Sequence, residues 1–247
     1  MNCLILAAGH GSRMRAVSPS KPLTMVAGAP LIEHVITAAR AAGAAEIVVV
    51  TGHEADRLEA FLEGLRSRLG ISLRWARAPD WNKPNGLSVV AGADLLEGEY
   101  LLLMSDHLFD PQIALNLIRT GNRGAAVTLA VDRALSGPLL DIDDATKVQV
   151  DEAGRIVRIG KRIDPYDAID TGIFLATPAL AEAIRRDVAT GGGGSLSEGV
   201  QRLAEDRLAF TLDIGDRKWI DVDDPASLEL AQRVAASILR PARNCAA

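Results

Sequence analysis

Apolar and polar positions along this 247-residue chain follow two rhythms. As far as about residue 125, short apolar runs are separated by stretches whose apolar residues recur at three and four positions. That alternation predicts parallel strands joined by crossover helices. Strands are expected over residues 3–6, 47–51, 71–75 and 100–104, and helices over 31–42, 55–66 and 87–96. Strands buried on both faces read as nearly continuous apolar runs. IVVV (47–50) and YLLLM (100–104) do so, which predicts an α/β fold whose mostly parallel sheet carries helices on both faces.

Beyond residue 125 the segments shorten and alternate, at 126–131, 147–150 and 156–159, with EAG (152–154) marking a hairpin turn. This predicts a small mixed α+β insertion over the sheet. Residues 170–176 return to a strand, and 178–187 and 196–204 to helices. GGGGS (191–195) reads as a flexible surface connector. A closing helix over 225–238 carries proline in its first turn. The expected organisation is a single domain over 1–247, with about 1–125 binding nucleotide and about 126–247 supplying the acceptor side and the closing helix.

Composition agrees with one aliphatic core: 48% of residues are hydrophobic and only 4% aromatic. A formal net charge of −5, with no compensating basic run, argues against nucleic acid as a partner. Cys3 and Cys245 form neither a metal-ligand spacing nor a redox pair, and are expected to be free thiols in a reducing cytoplasm. No apolar run approaches the ~20 residues that span a bilayer, and the first apolar segment is too short for a signal peptide. A cytoplasmic protein is expected, monomer or homodimer.

In open parallel sheets ligands bind beyond the carboxyl ends of the strands, so chemistry is sought there. LAAGHGSRM (6–14) follows the first strand. Gly9 and Gly11 let the backbone turn and bring N–H groups to a phosphate, Arg13 adds a bidentate cation, and Lys21, before Pro22, a second. Met14 occupies the third glycine of a dinucleotide fingerprint, and the spacing is not that of a P-loop. A plain strand-to-helix turn with a surface arginine stays open. In LLLMSDH, a long strand delivers Asp106 and His107 to the same edge, where a carboxylate suits Mg²⁺ or a structural cap. In KWIDVDD (218–224), a period of two puts Asp221 and Asp223 on one side and Ile220 and Val222 on the other. Asp224, before Pro225, reads as a helix N-cap and Trp219 as packing. NKPNGLS (82–88) permits a close approach at Asn85 and Gly86, or simply caps a helix. Lys147, Lys161 and Asp170 are, singly, ordinary solvated charges.

LAAGxGxR followed by KPL, an aspartate ending a long apolar strand, and WxDVD before the last helix resembles the sugar-phosphate and alcohol-phosphate nucleotidyltransferases, over nearly the whole chain. The resemblance implies their Rossmann-like fold. It also implies that the glycine loop (Leu6, Ala7, Ala8, Gly9, Gly11) and Arg13 cradle a triphosphate, that Lys21 assists transfer, and that Asp106 with Asp221, Asp223 or both holds Mg²⁺. KPNGLS, MSDH, DDATKVQVDEAGRIVRIGK and the IDTG segment are similar to inositol-1-phosphate cytidylyltransferases. This implies CTP as donor, with Asn85, Gly86 and Ser88 near the base. The acceptor would be inositol 1-phosphate, with His107, Lys147, Lys161 and Asp170 beside it. Phosphocholine, aminoethylphosphonate or a sugar phosphate stays open as acceptor, as does a catalytically silent nucleotide-binding regulator. Some relatives continue into a membrane-embedded CDP-alcohol phosphotransferase; here that step is expected of a separate polypeptide, or of a segment outside this sequence.

Overall fold

The computed structural model describes residues 1–137, 139 and 141–239. Strand β1 (Asn2–Ala7) is followed by the short hairpin β2 (Met25–Val26) and β3 (Ala29–Pro30), then α1 (Leu31–Ala41), β4 (Glu46–Thr51), α2 (Ala55–Leu69), β5 (Ser72–Arg77), α3 (Gly86–Ala93) and β6 (Tyr100–Met104). The chain continues through β7 (His107–Phe109), α4 (Pro111–Thr120), β8 (Val127–Asp132), β9 (Lys147–Val150), β10 (Ile156–Gly160) and β11 (Ala168–Ala176). It closes with α5 (Pro178–Ala189), α6 (Leu196–Glu205), β12 (Ala209–Asp213), β13 (Trp219–Asp221) and α7 (Pro225–Ile238).

A nine-stranded sheet runs in the order β10-β9-β11-β6-β1-β4-β5, with β8 beside β11 and β12 beside β8. Strands β6, β1, β4 and β5 are parallel neighbours, as expected from their apolar runs. The region after residue 125 is mixed, and it continues this sheet through β11, which runs antiparallel to β6. From β1 the chain first builds outward through β4 and β5, then returns to place β6 on the other side of β1. The crevice beyond the carboxyl ends of β1 and β6 is therefore a topological switch point, where two loops part and leave room for a ligand.

Alternation along the strands feeds two cores. Leu4, Leu6, Val48, Val50 and Leu102 pack with α3, α5 and α6, while Cys3, Ile5, Ile47, Val49 and Leu103 pack with α1, α2 and α4. A third core gathers Met14, Leu31, Leu108, Ile220, Val222 and Ala231, which fastens the glycine loop and α7 to one end of the sheet. Cys3 is a buried free thiol whose pKa is pushed up by burial. Cys245 lies outside the described residues. Among the described residues, no helix is long and apolar enough to cross a membrane.

Five elements lay outside the sequence reading: β2, β3, β7, α4 and β12. The GGGGS segment corrects it. Gly192 N–H donates to the Asp187 carbonyl, Gly193 N–H to Glu198 and Gly194 N–H to the Asp187 carboxylate, and Ser195 caps α6. At Gly192 and Gly194 the chain passes too close to its neighbours for a side chain, a Cβ on Gly192 standing 2.1 Å from the Asp187 carboxylate and one on Gly194 2.6 Å from Val188, while Gly191, with open space beside it among the described residues, supplies a positive φ of +88.

Candidate active site

β1 delivers the glycine loop to the switch point. Gly11 adopts φ +57, and a Cβ there would lie 2.7 Å from the Cβ of Lys21, so the position needs glycine both for its backbone and for the packing of that lysine. Gly9 is different: among the described residues nothing lies within 4 Å of where its Cβ would be, and the space opens beside the loop. Met14, fully buried, anchors the loop's far end.

Lys21 is not the exposed lysine that its loop position suggests; its side chain is only 10% exposed. Its Nζ donates to Asp106 Oδ2 at 2.5 Å, contacts Asp223 and lies 3.8 Å from Asp221. Burial works against the charge, yet these three carboxylates outweigh it and hold Lys21 protonated well above the usual lysine range. Asp106 is likewise opposed by burial and held ionised, well below the usual range, by Lys21 and His107.

The carboxylates come together through a short ribbon. β7 pairs antiparallel with β13, placing His107 opposite Asp221, while Val222 N–H donates to the Asp106 carbonyl at 3.0 Å. The expected period of two holds: Ile220 and Val222 are buried, and Asp221 and Asp223 turn together towards Lys21. His107 Nδ1 lies 2.8 Å from Asp106 Oδ1, and its ring stacks on Trp219, which packs as expected. Burial disfavours its charge, but Asp221 and Asp106 outweigh it and carry the His107 pKa up to about 9. Asp224 accepts from Ser227 N–H as the predicted N-cap.

Asp106, His107 and Asp221 present ligand atoms within 4.8 Å of one another, a grouping able to hold a metal ion. Asp221 Oδ1 is shielded from solvent and has no hydrogen-bond partner among the described residues. Burial, with Asp106 and Asp223 close by, pushes that carboxyl up to about 7 against the pull of His107 and Lys21. A shielded, unpartnered oxygen beside further carboxylates fits a hard divalent cation. Asp223 is engaged by Lys21 and by Arg13 Nη2 at 2.5 Å.

Two cavities meet here. One, of about 300 Å³, is walled by Leu6, Ala7, Ala8, Gly9 and Gly11, with Ser88 and Lys21. The other, of about 530 Å³, is walled by His107, Lys161, Asp170, Gly172, Asp144 and Arg233, among others. Arg13, Asn85, Met104, Asp106 and Asp223 line both. In the larger cavity Asp170 accepts from Gly172 N–H at 2.7 Å, and burial pushes its carboxyl up to about 6. Lys147 does not line either wall: its Nζ donates to the Lys161 carbonyl at 3.0 Å and sits over the Tyr166 ring. Gly86 lies under the glycine loop before α6, and a Cβ on it would meet the Gly194 carbonyl at 2.3 Å. The sequence reading missed Asp144, which bridges Arg13 (2.7 Å) and Lys161, and Arg233, brought to the cavity by α7. Asp144 lay within the DDATK run, but nothing local marks an aspartate as a bridge.

A family model described as MobA-like NTP transferase domain matches residues 3–203. The chain belongs to that family. This NTP transferase domain is 34% identical over 234 residues to a bifunctional IPC transferase and DIPP synthase of Rubrobacter xylanophilus, covering 93% of the chain and 51% of that protein. It is 31% identical over 240 residues to the protein of the same name from Archaeoglobus fulgidus, covering 96% of the chain and 44% of the relative. The NTP transferase domain thus spans about half the length of these relatives. Among solved structures, the inositol-1-phosphate CTP transferase from T. maritima superposes with a TM-score of 0.82 at 25% identity, covering 96% of this chain and 97% of that one. The mostly parallel, two-faced sheet of a nucleotidyltransferase, read from the sequence, is therefore the fold.

Proposed function

We propose that this chain transfers CMP from CTP to inositol 1-phosphate in a Mg²⁺-dependent reaction, giving CDP-inositol and pyrophosphate. The observation that carries this reading is the shared wall: two cavities meet at Arg13, Asn85, Asp106 and Asp223, with Lys21 at the junction. A group transfer between two ligands needs that arrangement, with the reacting atoms at the boundary. The names of the relatives, IPC transferase and inositol-1-phosphate CTP transferase, support the choice of substrates.

In this reading the smaller cavity takes the nucleotide. The backbone of Leu6 to Gly11 receives the triphosphate, the open space beside Gly9 admits it, and Asn85 and Ser88 face the base; Gly86, expected there too, is buried against the Gly194 carbonyl and lines neither cavity. Arg13 and Lys21 offset the charge that builds on the phosphates during transfer. Asp106, with Asp221 and Asp223, would hold Mg²⁺, which supplies charge neutralisation and polarises the α-phosphate when bound.

The larger cavity takes the acceptor. Lys161 and Arg233 supply positive charge for its phosphate. Asp170, Asp141, Thr146 and Ser197 offer the acceptors and donors that ring hydroxyls require. The acceptor's phosphate oxygen attacks the α-phosphorus in line, the bond from that phosphorus to the bridging oxygen breaks, and pyrophosphate leaves with its electron pair. A phosphate monoester is already ionised at neutral pH, so no general base is needed and positioning carries the catalysis.

The test is pyrophosphate release from purified protein, with each of four nucleoside triphosphates against a panel of phosphorylated alcohols and sugars. Release with CTP and inositol 1-phosphate is expected. Faster turnover with phosphocholine, aminoethylphosphonate or a sugar phosphate would reassign the acceptor, and nucleotide binding without turnover would make the chain a regulator. Once product forms, its diphosphate-linked inositol suits consumption by a phosphotransferase.

A further inference from the structure

We propose that Asp187, a buried carboxylate beyond both cavities, is a positioning residue that sets Asn85 and the start of α6 between the two substrates. The placement of Asn85 at a substrate boundary rests on the functional reading above; the mechanical link from Asp187 does not.

Asp187 sits in the last turns of α5, 3% exposed. A carboxylate there faces the negative end of the helix dipole and loses its hydration, so an apolar residue would serve stability better. The structure surrounds it with compensation instead. Arg202 Nε, from α6, donates to Oδ1 at 3.0 Å, and Gly194 N–H donates to Oδ2 at 3.1 Å. Gly192 N–H donates to the Asp187 carbonyl at 2.9 Å, and no side chain fits at Gly192 against the carboxylate. Two of the four glycines, Gly192 and Gly194, close on this one side chain.

What the loop then touches is the rim of both cavities. The Gly194 carbonyl and the Ser195 backbone pack against Gly86, where a Cβ would meet them at 2.3 and 2.8 Å. Leu196 N–H donates to Asn85 Oδ1 at 3.0 Å. Fixing that oxygen fixes the plane of the amide, and so the direction in which its two N–H donors point. Asn85 lines both cavities, and Leu196 and Ser197 line the larger. The path runs from Arg202 through Asp187 and Gly194 to Asn85, entirely by contacts that any shift of the carboxylate would loosen.

The test compares the full chain with Asp187→Asn and Arg202→Gln, by amide hydrogen exchange and by steady-state kinetics with CTP and inositol 1-phosphate. Both variants should speed exchange about 10-fold or more over 192–196 and over 85–88, while the central strands keep their protection. Asp187→Asn should lower kcat/KM roughly 10-fold, with melting temperature tracked separately, because a misplacement near the reacting atoms is amplified in rate. In an Asn85→Ala background the same substitution should cost less than about 2-fold, since residues acting through one contact are not additive.

Unchanged exchange at both loops in a folded variant overturns the proposal, as does a full, additive loss in the Asn85→Ala background. If Asp187→Asn does not fold, Arg202→Gln, altered at a partly exposed side chain, decides by the same readouts. Wild-type protein that is silent with this substrate pair refutes the functional reading instead, and the exchange data still decide the tether.

Discussion

Asp221 stands opposite His107 across a two-stranded antiparallel ribbon, and that single register brings the carboxylates of β13 and its continuation onto Lys21 and Asp106. The ribbon is short, but both strands are pinned: Leu108 and Ile220 are buried in the same small core as Met14 of the glycine loop. Loop, ribbon and closing helix therefore share one apolar core, and the site is held by the packing behind it.

Replacing Lys21 by alanine is expected to lower kcat/KM by about 10²–10³-fold, the usual loss for one charge-stabilising donor. Stability should fall too, by about 1–3 kcal/mol in metal-free buffer, because three carboxylates lose the buried cation between them. Thermal melts with chelator and with Mg²⁺ check this; the divalent ion should recover part of the loss. Unaltered turnover would remove Lys21 from the machinery.

Asp106→Asn should raise the Mg²⁺ concentration needed for half-maximal turnover by roughly 10-fold or more. A Mg²⁺ titration that matches wild type would leave Asp106 as the partner of Lys21 and nothing else.

Gly172→Ala meets two obstacles at once. The residue has φ +72, and a Cβ would lie 2.8 Å from the His107 ring and 2.9 Å from Met104. A loss of about 1–3 kcal/mol in chemical denaturation is expected. Because Gly172 also lines the larger cavity, KM for the acceptor should rise more than KM for CTP. Equal rises in both would contradict the division of the cavities.

Asp170 predicts a pH dependence. Burial raises its carboxyl to about 6 in the folded chain, above its value of 3.8 when unfolded. Between those values the native state binds more protons than the unfolded state, so this group's contribution to stability is complete below about pH 4 and is lost as pH rises to about 6. Asp170→Asn should flatten that segment of the stability curve and raise stability at pH 7 by about 1–3 kcal/mol. Urea titrations from pH 4 to 7 measure it, and parallel curves for the two proteins would show that Asp170 does not titrate as its burial implies.

How far the chain could be read in advance differs from element to element. β6 and α7 lie where their patterns put them, because an unbroken apolar run and a proline-started amphipathic stretch are local signals. β7 escaped because three residues carry no period, and it is extended only by virtue of pairing with β13. GGGGS was misread because composition cannot distinguish glycine chosen for freedom from glycine chosen for closeness. Lys147 and Lys161 looked alike along the chain; only Lys161 reaches the cavity, while Lys147 props its backbone.

The sequence by itself determined the sheet-and-helix plan, the glycine-containing turn after β1 and the same-side placement of Asp221 and Asp223, since each depends on backbone preferences and periodicity among near neighbours. Tertiary structure decided that Lys21 is buried among three carboxylates, that Asp144 joins Arg13 to Lys161, and that Asp187 reaches Asn85 through a glycine loop. These are meetings of residues distant in the chain, set by strand order and register, and the burial that gives their charges strength exists only once the whole sheet has closed around them.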